Sequence, residues 1–211
     1  MAYFLRKLST DADAQVDLDS AIVFTTFGGT GYTGDFEVEF DIDLTASNSV
    51  IIGRLGNSNN IIFFTTTTNV QVRRAGSSTL NYTLPSSASG RHVYIFQGDS
   101  TANTLELFQD GVSCGTGAGA LLFDMQRMYM FGDSGRAHDT YTFKFSNDGV
   151  LEHNYVNSTG AGTTYPDVEG GNDGTLSNFD GTTNSWWVFY DDGGGVSIPV
   201  IMNHLRNQGI A

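Results

Sequence analysis

The chain has a single cysteine, Cys114, among 211 residues, so no intrachain disulfide can form and a metal centre built from several thiolates is excluded. The fold must be held by its core. Prolines number only 3, and charged residues make up 16% of the chain, too few Glu and Lys for long solvated helices. Basic residues are scarce: 10 Lys and Arg stand against 23 Asp and Glu, for a formal charge of −13 at pH 7. A field of that sign repels phosphate backbones and anionic headgroups, which argues against nucleic acid and membranes as partners. No run approaches the roughly 18 apolar residues of a membrane span. The N-terminus, Met1 to Leu8, runs into Ser9, Thr10, Asp11 and Asp13 without the apolar stretch of a signal peptide. This predicts synthesis in the cytoplasm with no signal-peptide export.

What the chain does have is glycine, 26 residues of it, together with many Thr, Ser and Asn, and 39% hydrophobic residues to bury. That is a strand-and-turn composition, and 211 residues suit one all-β domain. The plainest strand is Phe36 to Leu44, where Phe36, Val38, Phe40, Ile42 and Leu44 alternate with Glu37, Glu39, Asp41 and Asp43. One apolar face and one acidic face imply a sheet wet on one side. Further strands are expected at 21–27, 50–55, 61–67, 70–74, 80–84, 92–96, 105–108, 125–131, 140–145, 151–156 and 186–190. Between them, turn signals stand at 56–60, at Gln109-Asp110-Gly111, at Asn147-Asp148-Gly149 and at Asn172-Asp173-Gly174.

Many short strands with regular turns and no amphipathic helix point to an all-β, two-sheet antiparallel jelly-roll sandwich over residues 1–192. Residues 160–184 read as an ordered surface loop pinned by Tyr165, Val168, Leu176 and Phe179. Gly193, Gly194 and Gly195 then form a hinge, and the tail 193–211 carries Ile198, Val200, Ile201, Met202 and Leu205. Such an apolar tail either folds back as an extra strand or docks on another subunit.

Lys7 to Leu18, Gly34 to Phe40, Leu105 to Val112, Met128 to Gly132, Asn172 to Leu176 and Trp187-Val188, in that order, resemble segments of the concanavalin A-like lectin and glucanase superfamily, in particular laminin G-like domains of bacterial surface and phage virion proteins. The opening strand of that family is resembled by Lys7 to Leu18, and the strand after it by Gly34-Asp35-Phe36-Glu37-Val38-Glu39-Phe40. Leu105 to Val112 resembles its Asp-Gly hairpin, Met128 to Gly132 a late strand, Asn172 to Leu176 its Asn-Asp-Gly-Thr segment, and Trp187-Val188 its closing element. The resemblance implies a lectin-like jelly roll on the surface of a phage virion, as a capsid decoration protein or a small head or tail fibre component. It implies self-association, with a trimer as one form, and capsid or tail proteins as partners. Val196 to Leu205 or Tyr3 to Leu8 would make the intersubunit contacts.

Three chemistries deserve weighing against plainer readings. Carboxylates at Glu37, Glu39, Asp41 and Asp43 repeat at about 7 Å along one strand face, close enough for a retaining glycosidase, although a solvated acidic face looks the same in sequence. Gly132-Asp133-Ser134-Gly135 imitates a serine protease loop, but the only histidine near it, His138, lies in the same loop, so it reads as a hairpin. His92, His138, His153 and His204 are scattered singly, and Asp11, Asp13, Asp17 and Asp19 lack the glycine and terminal glutamate of a calcium loop. No catalytic residue, resident metal or cofactor is therefore assigned. Calcium at a loop rim stays open, with Asp133, Asp139, Asp167 and Asp173 as its ligands.

Trp186 and Trp187 are adjacent on a strand, so one ring faces the core and the other faces away, either as a platform for a sugar or covered by the long loop. On the first alternative, Trp187, Tyr190, Asp167, Asn172 and Asp173 form a carbohydrate site for cell-surface glycans. The expectation is a non-enzymatic surface protein, with a carbohydrate-binding module and a glucanase as the alternatives.

Overall fold

The computed structural model describes residues 2–7, 15–17, 34–44, 49–54, 57–73, 80–118, 128–130, 138–156, 160–177 and 186–190. Among these residues there is no helix. The strands are β1 (Ala2–Lys7), β2 (Gln15–Asp17), β3 (Phe36–Leu44), β4 (Ser49–Arg54), β5 (Asn57–Thr66), β6 (Asn69–Arg73), β7 (Leu80–Thr83) and β8 (Gly90–Asp99). They continue with β9 (Thr104–Gln109), β10 (Val112–Ala118), β11 (Met128–Met130), β12 (His138–Asn147), β13 (Val150–Tyr155), β14 (Thr164–Tyr165), β15 (Gly174–Ser177) and β16 (Trp187–Tyr190).

Two antiparallel sheets result. The first runs β10-β9-β8-β3-β12-β1-β16, with β13 also pairing β12; the second runs β14-β15-β2-β11-β4-β5-β6-β7. Strand β12 lies along β3 on one side, and on the other it is shared between β1 at residues 138–140 and β13 at residues 143–147. The two-sheet antiparallel sandwich expected from the strand pattern is what forms.

The core lies between the sheets because alternation on each strand sends one row inward. From the first sheet come Leu5, Val38, Phe40, Ile42, Tyr94, Phe96, Leu105, Leu107, Phe143 and Phe145; from the second come Val16, Val70, Val72, Tyr82 and Leu176. Phe40 in central β3 stacks on Phe143 at 5.5 Å and meets the edge of Phe96 at 5.8 Å. The sheets are stitched at both sides. At one, the Tyr82 hydroxyl of β7 donates to the Leu105 carbonyl of β9 at 2.7 Å, and a Cβ on Gly117 of β10 would run into Leu80 and the Tyr82 hydroxyl. At the other, Tyr165 of β14 packs between Tyr155 of β13 at 5.7 Å and Trp187 of β16 at 5.8 Å.

Two turn signals act as their chemistry requires. Asp110-Gly111 and Asp148-Gly149 each take positive φ at both residues, joining β9 to β10 and β12 to β13 as two-residue hairpins of the type that matches strand twist. The 56–60 signal differs: Asn57 to Asn60 belong to β5, and Asn57 already pairs with Arg54, so the turn is tighter than the run of Gly and Asn suggests. The expected loop 160–184 contains two short strands, β14 and β15. Tyr165 and Leu176 are buried there, whereas Val168 is 58% exposed and pins nothing. Tyr3 to Lys7 of the expected intersubunit arm lie within the first sheet, where β1 sits between β12 and β16. The strand expected at 21–27, Phe179, Asp133 and Ser134, and the tail with Ile198, Val200, Ile201, Met202 and Leu205 lie outside the described residues.

One buried group is out of place. Thr140 is fully buried on the core side of β12, and among the described residues its hydroxyl has no hydrogen-bond partner. Thr140→Val keeps the shape and removes the stranded hydroxyl, so it is expected to raise the unfolding free energy by about 1 kcal/mol in a urea titration.

Candidate functional site

The loop that joins β14 to β15 gathers Asp167, Asn172 and Asp173, three of the residues the sequence nominates for sugar binding, but it uses Asp167 internally. The Asp167 side chain is wholly buried, and its Oδ1 accepts the backbone N–H groups of Asn154 at 2.9 Å, Gly170 at 3.0 Å and Glu169 at 3.3 Å. Its Oδ2 lies 2.6 Å from His153 Nδ1 and accepts the Asn172 N–H at 3.2 Å. Burial pushes the Asp167 carboxyl up, but the bond to His153 and the backbone donors outweigh it and hold its pKa below the usual carboxylate value. Asp173 Oδ1 accepts the Asp167 N–H at 2.9 Å, and the Asn172 carbonyl accepts the Tyr155 hydroxyl at 3.0 Å. The close approach of backbone to this pair leaves no room for a side chain at Gly170, whose Cβ would meet His153 and Asp167.

Trp187 lies under the same loop. Its Nε1–H donates to the Gly162 carbonyl at 2.8 Å, Tyr165 covers its ring, and it is 6% exposed. Trp186 is buried too. The platform expected at Trp187 is therefore absent, because the loop folds over the ring and satisfies its N–H. Asp167 cannot contact a sugar for the same reason of burial, while Asn172 and Asp173 are exposed at the rim. Of the calcium candidates, Asp139 is held bidentately by Arg6 at 2.8 Å, and among the described residues no three His, Cys, Asp or Glu side chains gather at one point.

Tyr190 belongs to a different constellation, on the outer face of the first sheet. Strand β12 carries a bulge at Tyr141: Thr140 faces Ile42 and Thr142 faces Asp41, with Tyr141 the extra residue between them. Strict alternation from Phe143 and Phe145 would send Tyr141 into the core; the bulge turns it outward and sends Thr140 in. There Tyr141 meets Tyr190 edge-on at 4.9 Å and Phe4 at 4.8 Å, and Phe4 meets Tyr190 at 6.0 Å. The Arg91 guanidinium lies 3.7 Å from the centre of the Tyr141 ring and 5.3 Å from that of Tyr190.

Arg91 is fixed by a bidentate pair with Asp41, Nε to Oδ1 at 2.8 Å and Nη2 to Oδ2 at 2.7 Å. Arg6, 5.0 Å over the Phe4 ring, is fixed in the same way by Asp139. Both arginines keep more than two-fifths of their side-chain surface in solvent. The result is a half-exposed surface of the Tyr141 and Tyr190 rings and guanidinium N–H donors, with Phe4 buried beside them, held rigid before any ligand arrives. Burial raises the Tyr141 pKa, opposed by Arg91 and assisted by Asp139, Asp43 and Asp41, so its hydroxyl stays protonated at neutral pH.

The acidic row of β3 lies on this same outer face, each partnered carboxylate bound to a neighbouring strand. Glu39 meets Lys144 at 2.6 Å, Glu37 accepts from Gln97 at 2.8 Å, and Asp41 holds Arg91. At the far end of the sheet a cleft of about 500 Å³ is lined by Asp35, Glu37, Asp99 and Glu106, with Gln97 and Ser146. Its carboxylates organise turns: Asp35 accepts the Ser100 N–H and hydroxyl at 2.8 Å, and Asp99 accepts the Ala102 N–H at 2.7 Å.

Compared with known proteins, the sequence matches no family model and no curated protein. The fold does match solved structures. A candidate carbohydrate-binding protein from Bacteroides ovatus aligns with a TM-score of 0.57 at 15% identity, covering 82% of this chain and 57% of that one. The two-sheet jelly-roll fold is thus shared with that neighbour. This chain thus spans little more than half the length of that neighbour. Looser likenesses are to a sialidase CBM40 module of Ruminococcus gnavus bound to α2,6-sialyllactose, with TM-score 0.39, 13% identity and 65% and 91% coverage. Another is a prokaryotic β-1,3-1,4-glucanase from a mouse hindgut metagenome, with TM-score 0.38, 14% identity and 60% and 76% coverage. No site or ligand is transferred from either to this jelly roll.

The residues that carry the outer cluster, Phe4, Arg91 and Tyr141, were not nominated by the sequence. Arg91 sits on a strand legible from its branched residues, yet its stacking partner depends on a bulge that leaves no mark in the pattern Thr140-Tyr141-Thr142-Phe143.

Proposed function

We propose that this jelly roll binds carbohydrate without turning it over, through Arg91, Tyr141 and Tyr190 on the outer face of its first sheet. The observation that supports this reading is the Arg91 guanidinium stacked at 3.7 Å on Tyr141 and clamped by Asp41, a rigid donor surface beside aromatic rings. Apolar sugar hydrogens pack on such rings while hydroxyls pair with fixed donors and carboxylates. Glycan arrays probed with wild type and Tyr141→Ala test it. Wild type is expected to bind, and Tyr141→Ala to bind at least about 100-fold more weakly, the loss typical of a central anchor. Binding unchanged in Tyr141→Ala but lost in Asn172→Ala or Asp173→Ala would move the site back to the loop. Incubation with mixed-linkage β-glucan should release no new reducing ends; their appearance would favour a glucanase.

The setting we propose for this binding is the outside of a phage particle, a reading supported by the resemblance of its segments to laminin G-like domains and by the charge of −13. The tail 193–211, with Ile198, Val200, Ile201, Met202 and Leu205, then serves as the subunit or capsid anchor. Deleting 193–211 should leave a folded domain that no longer copurifies with particles; normal incorporation would count against the anchor.

A further inference from the structure

Resting on the carbohydrate reading above, we infer that the outer-face site selects uncharged glycans over their carboxylated counterparts, and that Asp41 is the residue that sets this selection. The surface has two guanidinium groups, which on exposure alone would invite an anionic sugar. Each is already answered. Asp41 occupies both Nε and Nη2 of Arg91, and Asp139 occupies the same two positions of Arg6, so in both cases one of the two edges that can grip a carboxylate bidentately is filled and the charge is already answered.

A third carboxylate, Asp43, follows on the same face of β3, opposite Arg91 in one register and Asp139 in the other. Two cations therefore face three anions around Tyr141, inside a chain that carries −13 overall. An incoming carboxylate would displace Asp41 or share Arg91 with it, and in both cases would meet Asp43 and Asp139, while the two guanidinium groups described around Tyr141 are each already paired with a carboxylate. A neutral sugar needs neither: it can take the donors that remain on Arg91, the phenol hydroxyls of Tyr141 and Tyr190, and the ring surfaces, while Asp41 keeps the guanidinium in place.

The test uses matched hexasaccharides in gluco, galacto and manno series, each as the neutral hexaose and as its form oxidised at C6 to the uronic acid, titrated by calorimetry against the full chain. Wild type is expected to bind at least one neutral hexaose about tenfold or more tightly than its oxidised partner, a penalty consistent with an uncompensated like charge at the site. Asp41→Asn keeps the shape, frees the Arg91 fork and should shift that ratio by about tenfold or more towards the oxidised sugar, most strongly at low salt. Arg91→Gln, which removes the cation, should give no such gain, and thermal melts would confirm that each variant is folded. Wild type binding an oxidised hexaose as well as or better than its neutral partner would overturn the selection while leaving the carbohydrate reading intact. An unchanged ratio in a folded Asp41→Asn would overturn the role of Asp41. Binding to none of the six sugars would overturn both readings together.

Discussion

Asp167→Ala is expected to lower the unfolding free energy by about 3–5 kcal/mol, because it removes a buried carboxylate and takes the acceptor away from His153 Nδ1 and several buried backbone N–H groups. The carboxylate it deletes accepts four backbone N–H groups and lies 2.6 Å from the buried His153. Residues 166–173 have no ladder of their own beyond a bridge to Tyr155, so this one side chain stands where a strand would otherwise stand. Urea titration followed by circular dichroism measures the loss, and a change under 1 kcal/mol would show that the loop holds without it. The same carboxylate gives the protein an acid sensitivity of defined sign. Its folded pKa lies below the unfolded value of about 3.9, so its contribution is complete above that value and fades as pH falls through the lower, folded one. Wild type should lose stability in that acid range more steeply than Asp167→Ala, which has nothing there to titrate.

The second large effect is at Trp187. Truncation to alanine should destabilise by about 3–5 kcal/mol, the range for emptying a buried aromatic site, and should leave glycan binding intact under native conditions. Trp187 is enclosed by Tyr165 and by the Gly162 carbonyl, so its removal opens the seam between β14 and β16 and leaves that carbonyl without its donor. A Trp187→Ala protein that is as stable as wild type but has lost glycan binding would restore the tryptophan platform and remove the case for the opposite face.

These two sites show why the sandwich was legible in the sequence and its surface was not. Strand β3 could be read residue by residue because a sheet wet on one side imposes alternation on its sequence, and the buried positions Phe36, Val38, Phe40, Ile42 and Leu44 are those the pattern marks. The Asp-Gly hairpins could be read because few residues accept positive φ at both turn positions. Strand β10 could not: after Val112 it is all small residues, it is mostly exposed, and it forms by pairing with β9 while Gly117 lies against Leu80 and Tyr82 of β7. Trp187 carried the right signal, a large ring on a strand, but nothing local tells whether a distant loop will cover it. Tyr141 carried the wrong one, since the parity set by Phe143 and Phe145 points inward and only the bulge reverses it.

Because the functional reading turns on that reversal, the most direct test follows the rings themselves. In an NMR titration with a neutral hexaose, the account predicts that the ring resonances of Tyr141 and Tyr190 and the Nε signal of Arg91 shift with a common dissociation constant, while the Trp187 indole signal stays still. Shifts confined to Trp187, Asn172 and Asp173, with Tyr141 and Arg91 unmoved, would contradict it.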